Sequence, residues 1–244
     1  EHIVNRSDSF EKMRFVNSGT EAVMSCLKAA RAYTGRSKIA KAEGAYHGLY
    51  DYAEVSQTSK PENWGDADSP SSVPVAYGTP QAALDDVVII PFNDTERAMK
   101  ILDENAEDLA CVVLDLLPHR IGLIPANEDF VRAVYNWTRK NDSLLVFDEV
   151  KTGLTAGPQG AAQRLGVIPD LICLAKSIGG GVPLAAFGGK TEFMKPVTDG
   201  RMPHLGTFNG HILAMAGVRA VDKVCTPEAL EKAESLNRQA LTRI

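Results

Sequence analysis

Four unbroken apolar runs constrain this chain more than any other feature: Val87-Val-Ile-Ile90, Ala110-Cys-Val-Val-Leu114, Leu144-Leu-Val-Phe147 and Leu171-Ile-Cys-Leu174. A strand with one wet face alternates apolar and polar residues, so runs without alternation belong to strands covered on both faces. Residues 13–17, 36–43 and 184–188 read as three further strands. Between the strands lie helical patterns over residues 22–33, 95–104 and 128–140. The first places Ala22, Val23, Cys26, Leu27 and Ala30 on one face at the 3.6-residue period. Strand and helix in alternation make βαβ units and a parallel sheet between helix layers. The expected fold is a three-layer α/β/α domain with a mainly parallel seven-stranded sheet.

Neither an internal repeat nor a second domain boundary is visible, so residues 1–244 are expected to form one domain. The chain opens on Glu1 rather than Met, and a helical pattern beginning at Pro227 runs to Ile244 without a stop signal. A fragment of a longer protein is the expectation. The net charge of −5 argues against a nucleic-acid surface. No apolar run approaches the roughly 20 residues that span a bilayer, so no membrane partner is expected. Cys26, Cys111, Cys173 and Cys225 lie far apart without a CxxC pair, which suits reduced thiols in a cytoplasmic protein. No His/Cys/carboxylate spacing suggests a metal site.

In open α/β sheets ligands bind beyond the carboxyl ends of the strands. Several chemically distinct features fall on that edge. Ser18-Gly19-Thr20 stand where a strand turns into a helix, so backbone N–H groups and hydroxyls meet a positive helix end, an arrangement that suits a phosphate. A plain N-cap is the alternative. Tyr46, in the corner Gly44-Ala-Tyr-His-Gly48, can lie flat on a planar cofactor or simply pack at a turn. Arg120 and Asp148 follow the fourth and fifth strands. Lys176 ends the sixth and precedes three glycines, Gly179 to Gly181. Flanked by hydrophobic side chains, a lysine there is expected to be partly neutral, hence nucleophilic toward carbonyls, as Schiff-base chemistry requires. The alternative is a lysine that caps the strand and reaches into solvent. Residues 58–82, rich in Ser, Pro, Gly and Asp, are too long for an idle connection and read as a substrate-side loop.

A phosphate cradle, a flat aromatic, a carboxylate and a desolvated lysine together match the needs of pyridoxal phosphate. Its aldehyde condenses with a lysine, and its pyridine nitrogen needs a carboxylate to stay protonated. A mononucleotide fits less well, because there is no G-x-G-x-x-G and the glycine run follows its lysine instead of preceding it.

Five motifs carry a family resemblance: Phe15-Val-Asn-Ser-Gly-Thr-Glu-Ala22, Tyr46-His-Gly48, Phe147-Asp-Glu-Val150 with Thr152-Gly153, Ala175-Lys-Ser-Ile-Gly-Gly-Gly181 and Gly206-Thr-Phe-Asn-Gly210. In this order and at these intervals the chain resembles the class III pyridoxal-phosphate aminotransferases of fold type I, in the branch that includes glutamate-1-semialdehyde 2,1-aminomutase. The resemblance implies that Lys176 forms the Schiff base and moves protons, that Asp148 pairs with the pyridine nitrogen, and that Tyr46 stacks on the ring. It implies that Ser18, Gly19 and Thr20 hold the phosphate, and that Thr207 reaches the phosphate of a neighbouring subunit in a homodimer. Glu149 and His47 are expected to be structural. The chain would be the large, cofactor-binding domain, with the N-terminal segment and C-terminal small domain absent from it.

Two places depart from the family pattern; at one of them Lys151 and Leu154 replace residues common in some subgroups, where an arginine follows Thr-Gly-Phe. Where the aminomutase branch has a Glu-Pro pair, this chain reads Asp115-Leu-Leu-Pro-His-Arg-Ile-Gly122. Arg120 can serve a substrate carboxylate, which a guanidinium grips in two places, or make a rim salt bridge. The expected activity is amino transfer from an amino acid or amine donor to a keto acid or aldehyde acceptor. The alternatives are intramolecular amino transfer of the aminomutase type and a cofactor-binding domain without turnover.

Overall fold

The computed structural model of the protein describes residues 3–243. Glu1, His2 and Ile244 lie outside the described residues, and with them the opening dipeptide and the last position of the predicted final helix.

All seven expected strands form, and they form one sheet: β1 (Lys12–Val16), β2 (Lys38–Ala42), β3 (Val87–Ile90), β4 (Leu109–Leu114), β5 (Leu144–Glu149), β6 (Leu171–Leu174) and β7 (Ala185–Gly189). Across the sheet the order is β1-β7-β6-β5-β4-β2-β3. Neighbours from β6 through β3 are parallel, whereas β7 is antiparallel to both β6 and β1. The seventh strand is therefore not part of a βαβ unit, and a short excursion after β6 suffices to turn the chain around.

The described residues hold five longer helices, α1 (Gly19–Thr34), α2 (Thr95–Glu104), α3 (Glu128–Lys140), α4 (Ile212–Val224) and α5 (Pro227–Leu241), the last without a buried side chain. Helix α1 packs its small buried residues, among them Ala22, Ala29 and Ala30, with Cys26 and Leu27 on one face of the sheet. Buried side chains of α2, α3 and α4 build a second core on the other face. The unbroken apolar runs are thus covered twice, as their pattern requires. In α3 acidic Glu128 and Asp129 open the helix and basic Arg139 and Lys140 close it, complementing the helix dipole. Trp137 Nε1 donates to Asp103 Oδ1 at 2.7 Å, tying α3 to the end of α2. Among the described residues no helix is long and apolar enough to cross a membrane, and all four cysteines are free.

From β2 the chain moves outward to β3, then returns to place β4 on the other side of β2. The order reverses there, and the carboxyl ends of β2 and β4 part to leave a crevice. Residues 58–82 do not reach it. They hold a short antiparallel pair, Gly65–Asp66 with Ser69–Pro70, and lead into the single-turn helix Gln81–Asp85. Ser72 Oγ donates to Val87 O of edge strand β3 at 2.6 Å, and Asp68 faces Arg97 and Lys100 of α2. The expected substrate-side loop instead guards the open edge of the sheet, a common use of an extra ribbon.

Candidate active site

The crevice opens into a cleft of about 480 Å³ lined by Gly19, Thr20, Tyr46, His47, Asp148 and Lys176, with Asp115, His119 and Lys151 on the side of β4. Strands β5 and β6 are adjacent and parallel, so their carboxyl ends deliver Asp148 and Lys176 to one place.

Asp148 is 5% exposed. Its Oδ1 accepts the Val150 N–H at 3.0 Å, and its Oδ2 lies 2.7 Å from His47 Nδ1. His47 is 1% exposed, and its Nε2 is buried without a partner among the described residues. A carboxylate beside Nδ1 is the arrangement by which a second group fixes the ring orientation of a histidine.

Lys176 departs from expectation. The single turn Lys176–Gly179 lifts it past the end of the sheet with a left-handed φ of +51°, and its side chain is exposed in the cleft. The apolar run flanks its backbone but does not cover its amine. Among the described residues Nζ has no hydrogen-bond or ion-pair partner, so it is free to meet a ligand.

The turn into α1 divides the three predicted phosphate residues. Ser18 is the N-cap: its Oγ accepts the Glu21 N–H at 3.2 Å, while Glu21 Oε2 accepts the Asn17 N–H at 2.7 Å. This reciprocal cap occupies Ser18, which does not line the cleft. Gly19 and Thr20 do line it, and their N–H groups in the first helical turn have no intrahelical acceptor. The loop after β2 crosses directly beside them. Leu49 N donates to Thr20 Oγ1 at 3.3 Å, and Gly48 has a φ of +96° where a Cβ would stand 2.7 Å from that hydroxyl. Only glycine permits this approach, and the space it leaves is part of the cleft.

Tyr46 is half-buried. Its ring meets His119 edge-on with centroids 5.7 Å apart, and the Arg120 guanidinium stands 5.6 Å from its centroid. Arg120 itself does not line the cleft; Nη1 donates to Gln57 O at 3.2 Å, and among the described residues it forms no salt bridge. Thr207 lies outside the cleft in an exposed turn. That turn is anchored by Asn209, whose Oδ1 accepts Asn17 Nδ2 at 3.1 Å, next to the start of α1.

Three cleft residues were not foreseen as a group. Buried Asp115 pairs with Lys151 Nζ at 2.8 Å, and the same amine donates to Leu117 O at 2.6 Å. Desolvation first, then the Lys151 charge, pulls the His119 imidazole below its ordinary value, so it is neutral beside Tyr46. The signal for Asp115 and His119 was the strand-end position of the Asp115-to-Gly122 stretch, while Lys151 stands just past the end of β5. Glu149, by contrast, points to the opposite side of the strand and accepts from Thr152 Oγ1, Ala161 N and Ala162 N at 2.8–2.9 Å.

Comparison with known proteins decides the family. The class III aminotransferase profile matches residues 1–244. The chain belongs to the class III aminotransferase family. It is 41% identical over 229 residues to a glutamate-1-semialdehyde 2,1-aminomutase from Thermodesulfovibrio yellowstonii, covering 92% of this chain and 52% of that protein. Among solved structures it superposes on an omega-transaminase from Sphaerobacter thermophilus with a TM-score of 0.93 at 43% identity, covering 98% of this chain and 55% of that one. A transaminase with PLP bound matches with a TM-score of 0.90 at 37% identity, covering 98% of this chain and 55% of that one. The chain thus spans about half the length of the relatives it matches, and across that span it has their fold.

Proposed function

We propose that this chain is the pyridoxal-phosphate-binding domain of an aminotransferase that moves an amino group from an amino acid or amine donor to a keto acid or aldehyde acceptor. One observation carries the reading. An exposed Lys176 amine, without a partner among the described residues, and a buried Asp148 carboxylate share a cleft whose third corner is the positive end of α1. The residues fit the cofactor on the structure's own terms. Unused N–H groups of Gly19 and Thr20 suit a phosphate, and the space at Gly48 leaves it room. A carboxylate with only 5% exposure suits a cationic ring nitrogen, because a buried charge needs a paired one.

When bound, pyridoxal phosphate supplies an aldehyde for the amino group and a ring that takes up the electron pair released at the substrate carbon. Gly19 and Thr20 would hold the phosphate, with Ser18 setting the helix cap behind them. Asp148 would hold its negative charge against the ring, and His47 orients Asp148. Tyr46 would lie on the ring, steadied by His119. Lys176 Nζ would accept the proton that leaves the donor's amino-bearing carbon and carry it past the shared nitrogen to the carbon beyond, a transfer that needs an amine free of other partners.

Arg120 keeps most of its guanidinium donors free beside Tyr46, and we assign it to a substrate carboxylate. Exposed Leu205, Phe208, Ile212 and Leu213 surround Thr207, an apolar patch that supports a homodimer in which Thr207 reaches the neighbouring site. Free thiols support a cytoplasmic setting.

The 41% identity to an aminomutase favours a second reading, amino transfer within one molecule. A donor and acceptor screen separates the two. Turnover that requires a keto or aldehyde acceptor supports the aminotransferase; conversion of glutamate-1-semialdehyde without any acceptor supports the mutase. Cofactor binding with neither reaction would leave a binding domain without turnover.

A further inference from the structure

Lys41 is among the largest fully buried side chains of the described residues, with no exposure to solvent. Its register partners, Ile89 of β3 and Val113 of β4, belong to the apolar core on the α1 face. A lysine in that position is costly, and burial pulls its ammonium down to about 7, against the opposing pull of Glu43 and Glu54. The amine donates to two backbone carbonyls, Ala45 O at 2.8 Å and Val55 O. Ala45 and Val55 are 1% and 0% exposed, and among the described residues no backbone N–H donates to either carbonyl. They stand at the two ends of the segment that carries Tyr46, His47 and Gly48. An amine keeps at least two N–H donors whether charged or neutral, so both carbonyls stay satisfied through its titration.

We propose that Lys41 is a positioning residue of the cofactor cleft: its amine closes segment 45–55 from inside and so sets where Tyr46 and His47 stand against Asp148. The role in the cleft rests on the cofactor reading above. Other ties hold the segment, among them Gly44 N to Ser56 O at 3.0 Å, Leu49 N to Thr20 Oγ1 at 3.3 Å, His47 Nδ1 to Asp148 Oδ2 at 2.7 Å and Arg31 Nη1 to Tyr50 Oη at 3.4 Å. None of them is a donor to the two buried carbonyls. Without Lys41 these favour conformations in which they reach water, and Tyr46 and His47 move with them.

Lys41→Met in the full chain keeps the stem and removes both donors. Two quantities decide: amide hydrogen exchange across residues 45–55, and the dissociation constant for pyridoxal phosphate from absorbance titration. The proposal predicts exchange faster by about tenfold or more in that segment with α3 unchanged, and cofactor binding weaker by about tenfold, the equivalent of one lost hydrogen bond. Lys41→Arg, which restores donors, should recover part of both. A folded Lys41→Met protein with ordinary exchange in the segment and ordinary cofactor affinity overturns the proposal. So does failure of both variants to fold, which would make Lys41 a core residue only. If the unaltered protein does not bind pyridoxal phosphate, the cofactor reading fails, while exchange across 45–55 still decides whether Lys41 holds the segment.

Discussion

His47 Nδ1 stands 2.7 Å from Asp148 Oδ2, and both side chains are buried beneath the cleft. The pair joins the loop after β2 to the carboxyl end of strand β5, 101 residues apart in sequence. His47, expected to be structural, makes its contact with the Asp148 carboxylate and so can hold that side chain in place. His47→Ala leaves Asp148 with the Val150 N–H as its remaining donor. Hydrogen bonds to charged groups contribute about 1.5–3 kcal/mol, so cofactor affinity should fall by about 10- to 100-fold. His47→Asn, which can still donate, should fall less. Equilibrium binding of pyridoxal phosphate to both variants checks the ordering.

Asp115 and Lys151 make the second buried link, across the ends of β4 and β5. The lysine side chain is 24% exposed and the aspartate 1%. Removing the lysine strands a buried carboxylate, which costs about 3–5 kcal/mol where water cannot follow. Partial access at Lys151 reduces the expected loss for Lys151→Ala to about 2 kcal/mol, a drop of about 4–8 °C in thermal midpoint for a chain of this size. Calorimetry with Lys151→Arg as the conservative control measures it.

The pH dependence of stability has a component with a definite sign. Lys41 has its folded value lowered to about 7 by burial, while the unfolded lysine keeps its ordinary value near 10.5. Between those limits the unfolded chain binds more protons than the folded one, so stability from this group rises with pH and is flat below about 7. The slope approaches about 1.4 kcal/mol per pH unit for one proton. Urea unfolding at pH 7 and pH 9 should show unaltered protein gaining relative to Lys41→Met by about 2–3 kcal/mol. Taking the difference between the two proteins cancels tyrosines and cysteines that titrate in the same window.

Gly160 has a φ of +76°, and a Cβ there would stand 2.2 Å from Glu149 Oε2. That carboxylate is 0% exposed and anchors the turns after β5 through three donors. Gly160→Ala combines backbone strain with displacement of a buried charge, and should cost about 2–4 kcal/mol. Chemical denaturation reads the loss, and a cost below about 0.5 kcal/mol would show that the turn relaxes freely.

The sheet was legible because Val87–Ile90, Leu109–Leu114, Leu144-Leu-Val-Phe147 and Leu171–Leu174 are apolar without alternation, and burial on both faces leaves little else for such runs to become. Positions at strand ends followed from the sheet, which is why Tyr46, Asp148 and Lys176 meet in one cleft. What could not be read depends on pairing between distant segments. The reversed direction of β7 follows from a turn after Lys176 rather than from any pattern within the strand. The partner of His47 and the reach of Lys41 depend on loops that come together only when β2 and β5 stand in one sheet. Residues 58–82 were misplaced because length and polarity mark a loop without saying which edge it covers. Lys176 was expected to be buried from its flanks, but a single turn carries its side chain clear of them.

The central claim is that the Lys176 amine, facing Asp148 across the cleft, is where the cofactor and the amino donor meet. Visible absorption of the full chain with pyridoxal phosphate tests it most directly. The account predicts a band that shifts when an amino donor is added, and a Lys176→Ala protein that lacks this band and its shift. The same band and the same shift in Lys176→Ala would contradict it.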